Sequence, residues 1–297
     1  MITTALRQLT QQEQINFLLT NRIPRRALTL AMGRLSRIEN RLLTKAAISA
    51  WRIFDGSLDL ADAETQQFRS LHDCFTRRLK PGARSIDARQ EIVASPCDGI
   101  VGAFGAIDGT RVFQAKGFPY EIGELMPDPA LERRFRNGFY VTLRLRASMY
   151  HRFHAPVDCA VDHIDYISGD TWNVNPIALK RVERLYCRNE RAVVSLVHAA
   201  TGGSLCIVPV AAILVASIRF AGLEQPLDLR YRGPNRIAWN RRFRKGEEMG
   251  CFQHGSTVIL FATRNFSPCP GIQAGATVRM GQALLIDNGA TGGAEVP

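Results

Sequence analysis

The 297-residue sequence has no Cys-x-x-C pair, and its seven cysteines are scattered and odd in number. That excludes a zinc ribbon and a disulfide framework, and it suits a reducing compartment. The start of the chain lacks the basic, then apolar, then small-residue order of a secretory signal, so none is expected. No G-x-S-x-G occurs, which disfavours a hydrolase built on a nucleophile elbow. One long stretch, Ala192 to Ile218, lacks Asp, Glu, Lys and Arg, but Thr201-Gly202-Gly203-Ser204 and Pro209 interrupt it. It reads as two buried strands joined by a turn, not as a membrane span.

Acidic residues are also in deficit, 27 against 38 basic ones, for a formal charge of +11. An anionic partner is implied, either nucleic acid or a lipid surface. Most of the excess lies in residues 1–54, where Arg7, Arg22, Arg25, Arg26, Arg34, Arg37, Arg41, Lys45 and Arg52 face only Glu13 and Glu39. The first 50 residues hold a single aromatic, Phe17, so base stacking has no platform and no nucleic acid is expected as a partner.

Apolar residues make up 46% of the chain, enough for a substantial core. From Leu28 they recur at Met32, Leu35, Ile38, Leu42, Ala46 and Ile53, with Arg34, Arg37, Arg41 and Lys45 as a flanking basic stripe. This spacing predicts an amphipathic helix, either a membrane-surface anchor or a cap packed on the core. Phe68, Leu71, Phe75 and Leu79 predict another helix, stopped by Pro81-Gly82. From about Glu91, short β-branched runs alternate with turn residues. The expected fold is α+β: N-terminal amphipathic helices followed by a β-rich, mostly antiparallel core. The expected division is a helical membrane-associating region over 1–80, a core over 81–287 and a loose tail over 288–297.

Four local patterns carry residues suited to chemistry. Ser95-Pro96-Cys97-Asp98-Gly99 puts an acid in a turn before a strand, although Asp-Gly alone is a common turn pair. Tyr150-His151-Arg152-Phe153-His154-Ala155-Pro156 holds two imidazoles three residues apart. No further ligand stands nearby at metal spacing, so acid–base use fits better and no metal is assigned. Gly255-Ser256 sits at the mouth of an apolar strand, where a bulge or tight turn is the plain reading. Residues 274–285 resemble the hairpins of biotinyl and lipoyl carrier domains, with Arg279-Met280-Gly281 in place of the carrier lysine, and read as a hairpin closing the core.

Further patterns join these: Gln114-Ala115-Lys116-Gly117 with Tyr120, Asn173-Val174-Asn175-Pro176, Asn189-Glu190-Arg191 and Glu247-Glu248-Met249-Gly250. In this order they resemble one family, the pyruvoyl-dependent phosphatidylserine decarboxylases, over roughly residues 65–287. The resemblance implies a proenzyme that cuts itself between Gly255 and Ser256 into chains 1–255 and 256–297, which stay associated. It implies Asp98, His154 and Ser256 as acid, base and nucleophile of an N-to-O acyl shift, followed by β-elimination and hydrolysis with loss of ammonia. Ser256 thereby becomes a covalent pyruvoyl cofactor. The residue types suit this: Ser256 is adjacent to the carbonyl it attacks, and Gly255 lacks a Cβ.

The resemblance further implies that the pyruvoyl group forms a Schiff base with phosphatidylserine, releases carbon dioxide and yields phosphatidylethanolamine. His151 is the implied proton donor to the product carbon, with His254 as an alternative helper. His151 and His154 would face one pocket if the backbone between them made a helical turn. Lys116, Arg152 and Arg191 are candidates for a phosphate or carboxylate contact, each equally readable as a surface ion pair. The implied location is the cytoplasmic side of the cell membrane, peripherally bound at an anionic surface, with a homodimer admitted. Two residues depart from the family pattern: His254, where an apolar residue is usual, and Ala211, where Val-Gly-Ala is usual. They motivate two alternatives, an uncleaved non-catalytic lipid-binding relative and a decarboxylase of another serine-bearing lipid.

Overall fold

The computed structural model describes residues 17, 24–55, 57–115, 118–213, 217–253 and 256–291. Its centre is an eight-stranded antiparallel sheet. In chain order its strands are β1 (Gly99–Ala106), β2 (Phe139–Leu145), β3 (Cys159–Ile167), β4 (Arg191–His198), β5 (Ser204–Ala211), β6 (Arg236–Phe243), β7 (Ser256–Ala262) and β8 (Thr277–Val278). The spatial order is β6-β3-β4-β5-β7-β2-β1-β8. The uncharged stretch supplies β4 and β5, an antiparallel pair joined across the Gly202-Gly203 turn.

The sequence of β7, Ser-Thr-Val-Ile-Leu-Phe-Ala, is apolar almost throughout because every residue of it is buried. Alternate side chains enter different cores. Val258 and Leu260 pack with Phe153, Ile218, Phe220 and Phe252 of a smaller sheet made by residues 227–228, 217–220, 248–252 and 152–154. Ile259 and Phe261 pack on the other face with Ile122, Leu125, Phe135 and Leu185 from short helical segments. Gly250 lets the 248–252 strand run close to its neighbours: a Cβ there would lie 2.3 Å from the Arg219 carbonyl oxygen and 2.5 Å from Phe153 Cζ.

Three expectations need correction. The single amphipathic helix is two, α1 (Arg25–Leu35) and α2 (Arg41–Phe54). Asn40 breaks it: its backbone is extended and its side chain accepts the Leu42 and Leu43 N–H groups, both at 3.0 Å, as an N-cap. The helix expected through Leu79 is only α3 (Leu71–Phe75), capped by Ser70, and Leu79 instead bridges to Ala63. The 274–285 hairpin does not pair with itself. Thr277–Val278 joins β1, while Ala283–Asp287 pairs with Ile92–Ala94 and Phe266–Pro268 in a separate three-stranded sheet. Of the expected tail, 288–291 form a 3₁₀ turn and 292–297 lie outside the described residues.

Leu260 is fully buried at the middle of the central strand. Leu260→Ala is expected to lower unfolding free energy by about 2–5 kcal/mol. Urea denaturation midpoints at an unchanged slope measure this.

Candidate active site

Ser256 opens β7, opposite Leu145 of β2 and Ala211 of β5, and is fully buried. Strand alternation turns its side chain to the same face as Val258 and Leu260. There His151 Nδ1 lies 3.3 Å from Ser256 Oγ. His151 Nε2 lies 3.0 and 3.1 Å from the carbonyl oxygens of Arg146 and Ala147. Carbonyls only accept, so Nε2 carries a proton, and in the neutral ring Nδ1 then presents its lone pair to the serine hydroxyl. Phe75 of α3 stacks on the same imidazole with ring centroids 4.0 Å apart, and Trp51 of α2 stacks on Phe75 at 6.1 Å.

His154 faces elsewhere. Its Nδ1 donates to the Gly246 carbonyl at 2.9 Å, and its Nε2, 3.0 Å from the Tyr150 hydroxyl, accepts from it. Burial lowers its pKa, so the ring is neutral. The shared pocket expected from a helical turn does not form, because Arg152–His154 is a strand. In an extended chain, positions three apart point to opposite faces.

Asp98 lies in the turn before β1, as the Asp-Gly pair suggested. It accepts from Arg84 Nε at 3.0 Å, Arg84 Nη2 at 2.6 Å and the Met280 N–H at 2.8 Å. Among the described residues, no hydrogen bond joins Asp98 to His154 or His154 to Ser256. The two segments meet through the backbone, where the His154 N–H donates to the Pro96 carbonyl at 2.8 Å.

Of the candidate anion contacts, Arg191 is buried and spends its guanidinium on the carbonyls of Leu125, Cys187, Asn189 and Glu124. It braces loops rather than facing a ligand. Arg152 pairs with Glu248 at 2.5 Å and donates to the Thr76 and Arg77 carbonyls. Lys116, His254 and Gly255 lie outside the described residues. The Ala211 methyl is buried on the Ser256 side of the sheet, beside its cross-strand partner.

These surroundings suit a ketone derived from Ser256. The position is fully buried, its nearest ring nitrogen is His151 Nδ1, and the described contacts bring no carboxylate to it. Comparison with known proteins matches the phosphatidylserine decarboxylase family model over residues 71–286. A protein named phosphatidylserine decarboxylase proenzyme from Shewanella sp. (strain W3-18-1) is 35% identical, with 92% of this chain and 97% of that one aligned. One of the same name from Shewanella baltica (strain OS155 / ATCC BAA-1091) is 36% identical, covering 92% and 96%. The chain belongs to the phosphatidylserine decarboxylase family.

For this family member, sequence reasoning missed Phe75, Tyr150 and Arg84 as parts of the site. The apolar spacing gives Phe75 only a place on a helix. No local spacing could have linked it to His151, because the contact spans 76 positions of chain. Asn189-Glu190 is legible as a motif but its work is tertiary. Asn189 Nδ2 donates to the Ala211 carbonyl at 3.0 Å, and the Ala211 N–H donates to the Glu190 carbonyl at 2.8 Å. Together they hold the end of β5 against the start of β7.

The Glu190 side chain accepts from Ser168 Oγ at 2.9 Å, from the Gly169 N–H at 3.0 Å and from the Tyr166 hydroxyl. Burial pushes its pKa up to about 7. A carboxyl raised on folding contributes stability that is fully present below its unfolded pKa, near 4.5, and is lost as pH rises through about 7. Glu190→Gln is therefore expected to flatten the fall in unfolding free energy between those pH values. Urea titrations across the window check this, and an unchanged slope would contradict it.

Proposed function

We propose that this chain is a self-cleaving decarboxylase of phosphatidylserine, making phosphatidylethanolamine at the cytoplasmic face of the cell membrane. The observation that carries the reading is His151 Nδ1 aimed at Ser256 Oγ, in a fully buried position at the head of the central strand. A pyruvoyl group made from Ser256 would supply the electron sink for loss of carbon dioxide. His151 holds or delivers a proton at the atom that follows the Ser256 side-chain position. The Arg146 and Ala147 carbonyls keep Nε2 protonated, so proton traffic is confined to Nδ1. Phe75 fixes the ring plane and excludes water.

Cleavage between Gly255 and Ser256 is assigned to Asp98, His154 and Ser256. In the geometry described, His154 engages Tyr150, whose chain neighbour His151 engages Ser256. The assignment therefore requires His154 to exchange its Tyr150 contact for the 255–256 peptide. After cleavage, the 256–297 chain stays in place, because β7 is paired along its whole length with both β5 and β2.

The membrane side is carried by α1, α2 and the turn between them. Leu35, Ile38, Leu42, Leu43 and Ile53 are exposed, Leu42 at 80%, beside Arg34, Arg37, Arg41, Lys45 and Arg52. Apolar groups ringed by cations suit burial in the headgroup boundary of an anionic bilayer. Among the described residues, no helix is long and apolar enough to cross a membrane.

Intact mass of the wild-type protein is expected to show two chains that co-elute on native gel filtration, the smaller blocked by a pyruvoyl group. Ser256→Ala, Asp98→Asn and His154→Ala are expected to leave an uncut chain. His151→Ala is expected to cut and then lose about 10²–10⁴-fold in carbon dioxide release from phosphatidylserine vesicles. The opposite pattern, with His151→Ala uncut and His154→Ala cut, would make His151 the base of both steps. A single unmodified full-length chain that still releases carbon dioxide would overturn the whole reading.

A further inference from the structure

Two neighbouring concavities meet at Leu71–His72, and neither is lined by Ser256 or His151. The larger, about 600 Å³, lies between the α3 region and the smaller sheet, with His72, Arg78, Arg152, Arg219, Glu224 and Glu248 in its wall. Arg152 and Glu248 neutralise each other at 2.5 Å. The Arg78 and Arg219 side chains make no hydrogen bond or ion pair among the described residues, which leaves two open guanidiniums against the single carboxylate of Glu224. His72 Nδ1 is buried without a partner, and burial together with Arg37 and Arg219 lowers its pKa to about 4. The field in this cavity is positive.

The smaller concavity, about 250 Å³, is a mostly apolar groove between α1 and α2 in which Met32, Leu35, Ile38, Leu43 and Leu71 face one another. The turn after α1 joins the two. The Ser36 carbonyl accepts the His72 N–H at 2.8 Å, and Arg37 Nη2 donates to Gln253 Oε1 in the cavity wall at 2.9 Å. An apolar groove beside a cavity with more guanidiniums than carboxylates is complementary to an amphiphile with one anionic head. Free phosphate would use only the cavity, and a zwitterionic lipid would set its own cation against the arginines.

We propose that this pair of concavities is a second lipid site, which holds an anionic phospholipid that is not decarboxylated. Its phosphate lies at Arg78 and Arg219, and one acyl chain lies in the groove between α1 and α2. The site goes beyond the catalytic reading and is independent of Ser256.

The test is calorimetric titration of the full-length wild-type and Ser256→Ala proteins with dihexanoylphosphatidylglycerol below its micelle concentration. Dihexanoylphosphatidylcholine and glycerol 3-phosphate serve as parallel probes. The expected result is binding of the phosphatidylglycerol to both proteins, at least about tenfold tighter than either comparison probe. The double variant R78Q/R219Q is expected to weaken it by about tenfold or more, as loss of charge-assisted contacts requires. Leu43→Ser is expected to weaken it several-fold through the groove. Arg78, Arg219 and Leu43 are exposed, so these variants should keep the wild-type circular dichroism. Equal binding of glycerol 3-phosphate would remove the groove from the site, and equal binding of phosphatidylcholine would remove the arginines. Unchanged binding by R78Q/R219Q, or loss of binding in Ser256→Ala, would place the lipid elsewhere and overturn the proposal.

Discussion

The arrangement depends on one constraint: Ser256 is the first residue of a central strand of the eight-stranded sheet. Ser256 is paired to both neighbours from its own position onward, so its backbone cannot shift without breaking two ladders. The rest of β7 is sealed by a core on each face. A side chain held this way has few conformations available, and its ordering is supplied by folding. The same pairing explains how a chain severed just ahead of residue 256 would keep its shape.

The two histidines differ in what stabilises their proton positions. His151 is oriented by backbone carbonyls, which fix a tautomer without adding charge. His154 is sandwiched between a carbonyl and a tyrosine hydroxyl and kept neutral by burial. The nearby carboxylates are claimed by arginines: Glu248, cross-strand from His154, pairs with Arg152, and Asp98 pairs with Arg84, whose guanidinium pKa it raises despite burial. The hydrogen bonds described for the two imidazoles are thus with dipoles, and the charges beside them are paired.

The contacts that tie the N-terminal helices to this interior include two that reach the site. Arg25 of α1 pairs with Asp170 at 2.6 Å while its guanidinium lies over the Trp172 ring at 3.7 Å. Trp172 exchanges backbone hydrogen bonds with the Asn189 side chain, which also holds the Ala211 carbonyl opposite Ser256. On the other side, Trp51 of α2 reaches His151 through Phe75. The surface suited to lipid and the site suited to its chemistry are therefore mechanically continuous, although they lie far apart in the chain.

Much of this was legible in the residue order. The runs Gly99–Phe104, Phe139–Leu145, Ala160–Ile167, Arg191–Val197 and Ser256–Thr263 mark β1, β2, β3, β4 and β7 within a residue or two, whereas the run Leu205–Phe220 divides into β5 and the separate 217–220 strand. Gly255-Ser256, the paired histidines and Asp98 stood out by type and order, because local spacing records strand periodicity and family pattern alike. The pairing of distant segments was not legible. His151 and His154 would have shared a pocket only on a helical turn, and the fold makes 152–154 a strand that sends the rings apart. The sequence ran one helix through Asn40, where a side-chain cap won over the apolar period. It closed 274–285 on itself, whereas the two short strands found better partners in Gly99–Ile100 and Ile92–Ala94. Residue order alone determined which groups were available for chemistry and where the chain would be extended. Tertiary structure decided which imidazole meets the serine, because that contact depends on the direction of side chains brought together across more than a hundred residues.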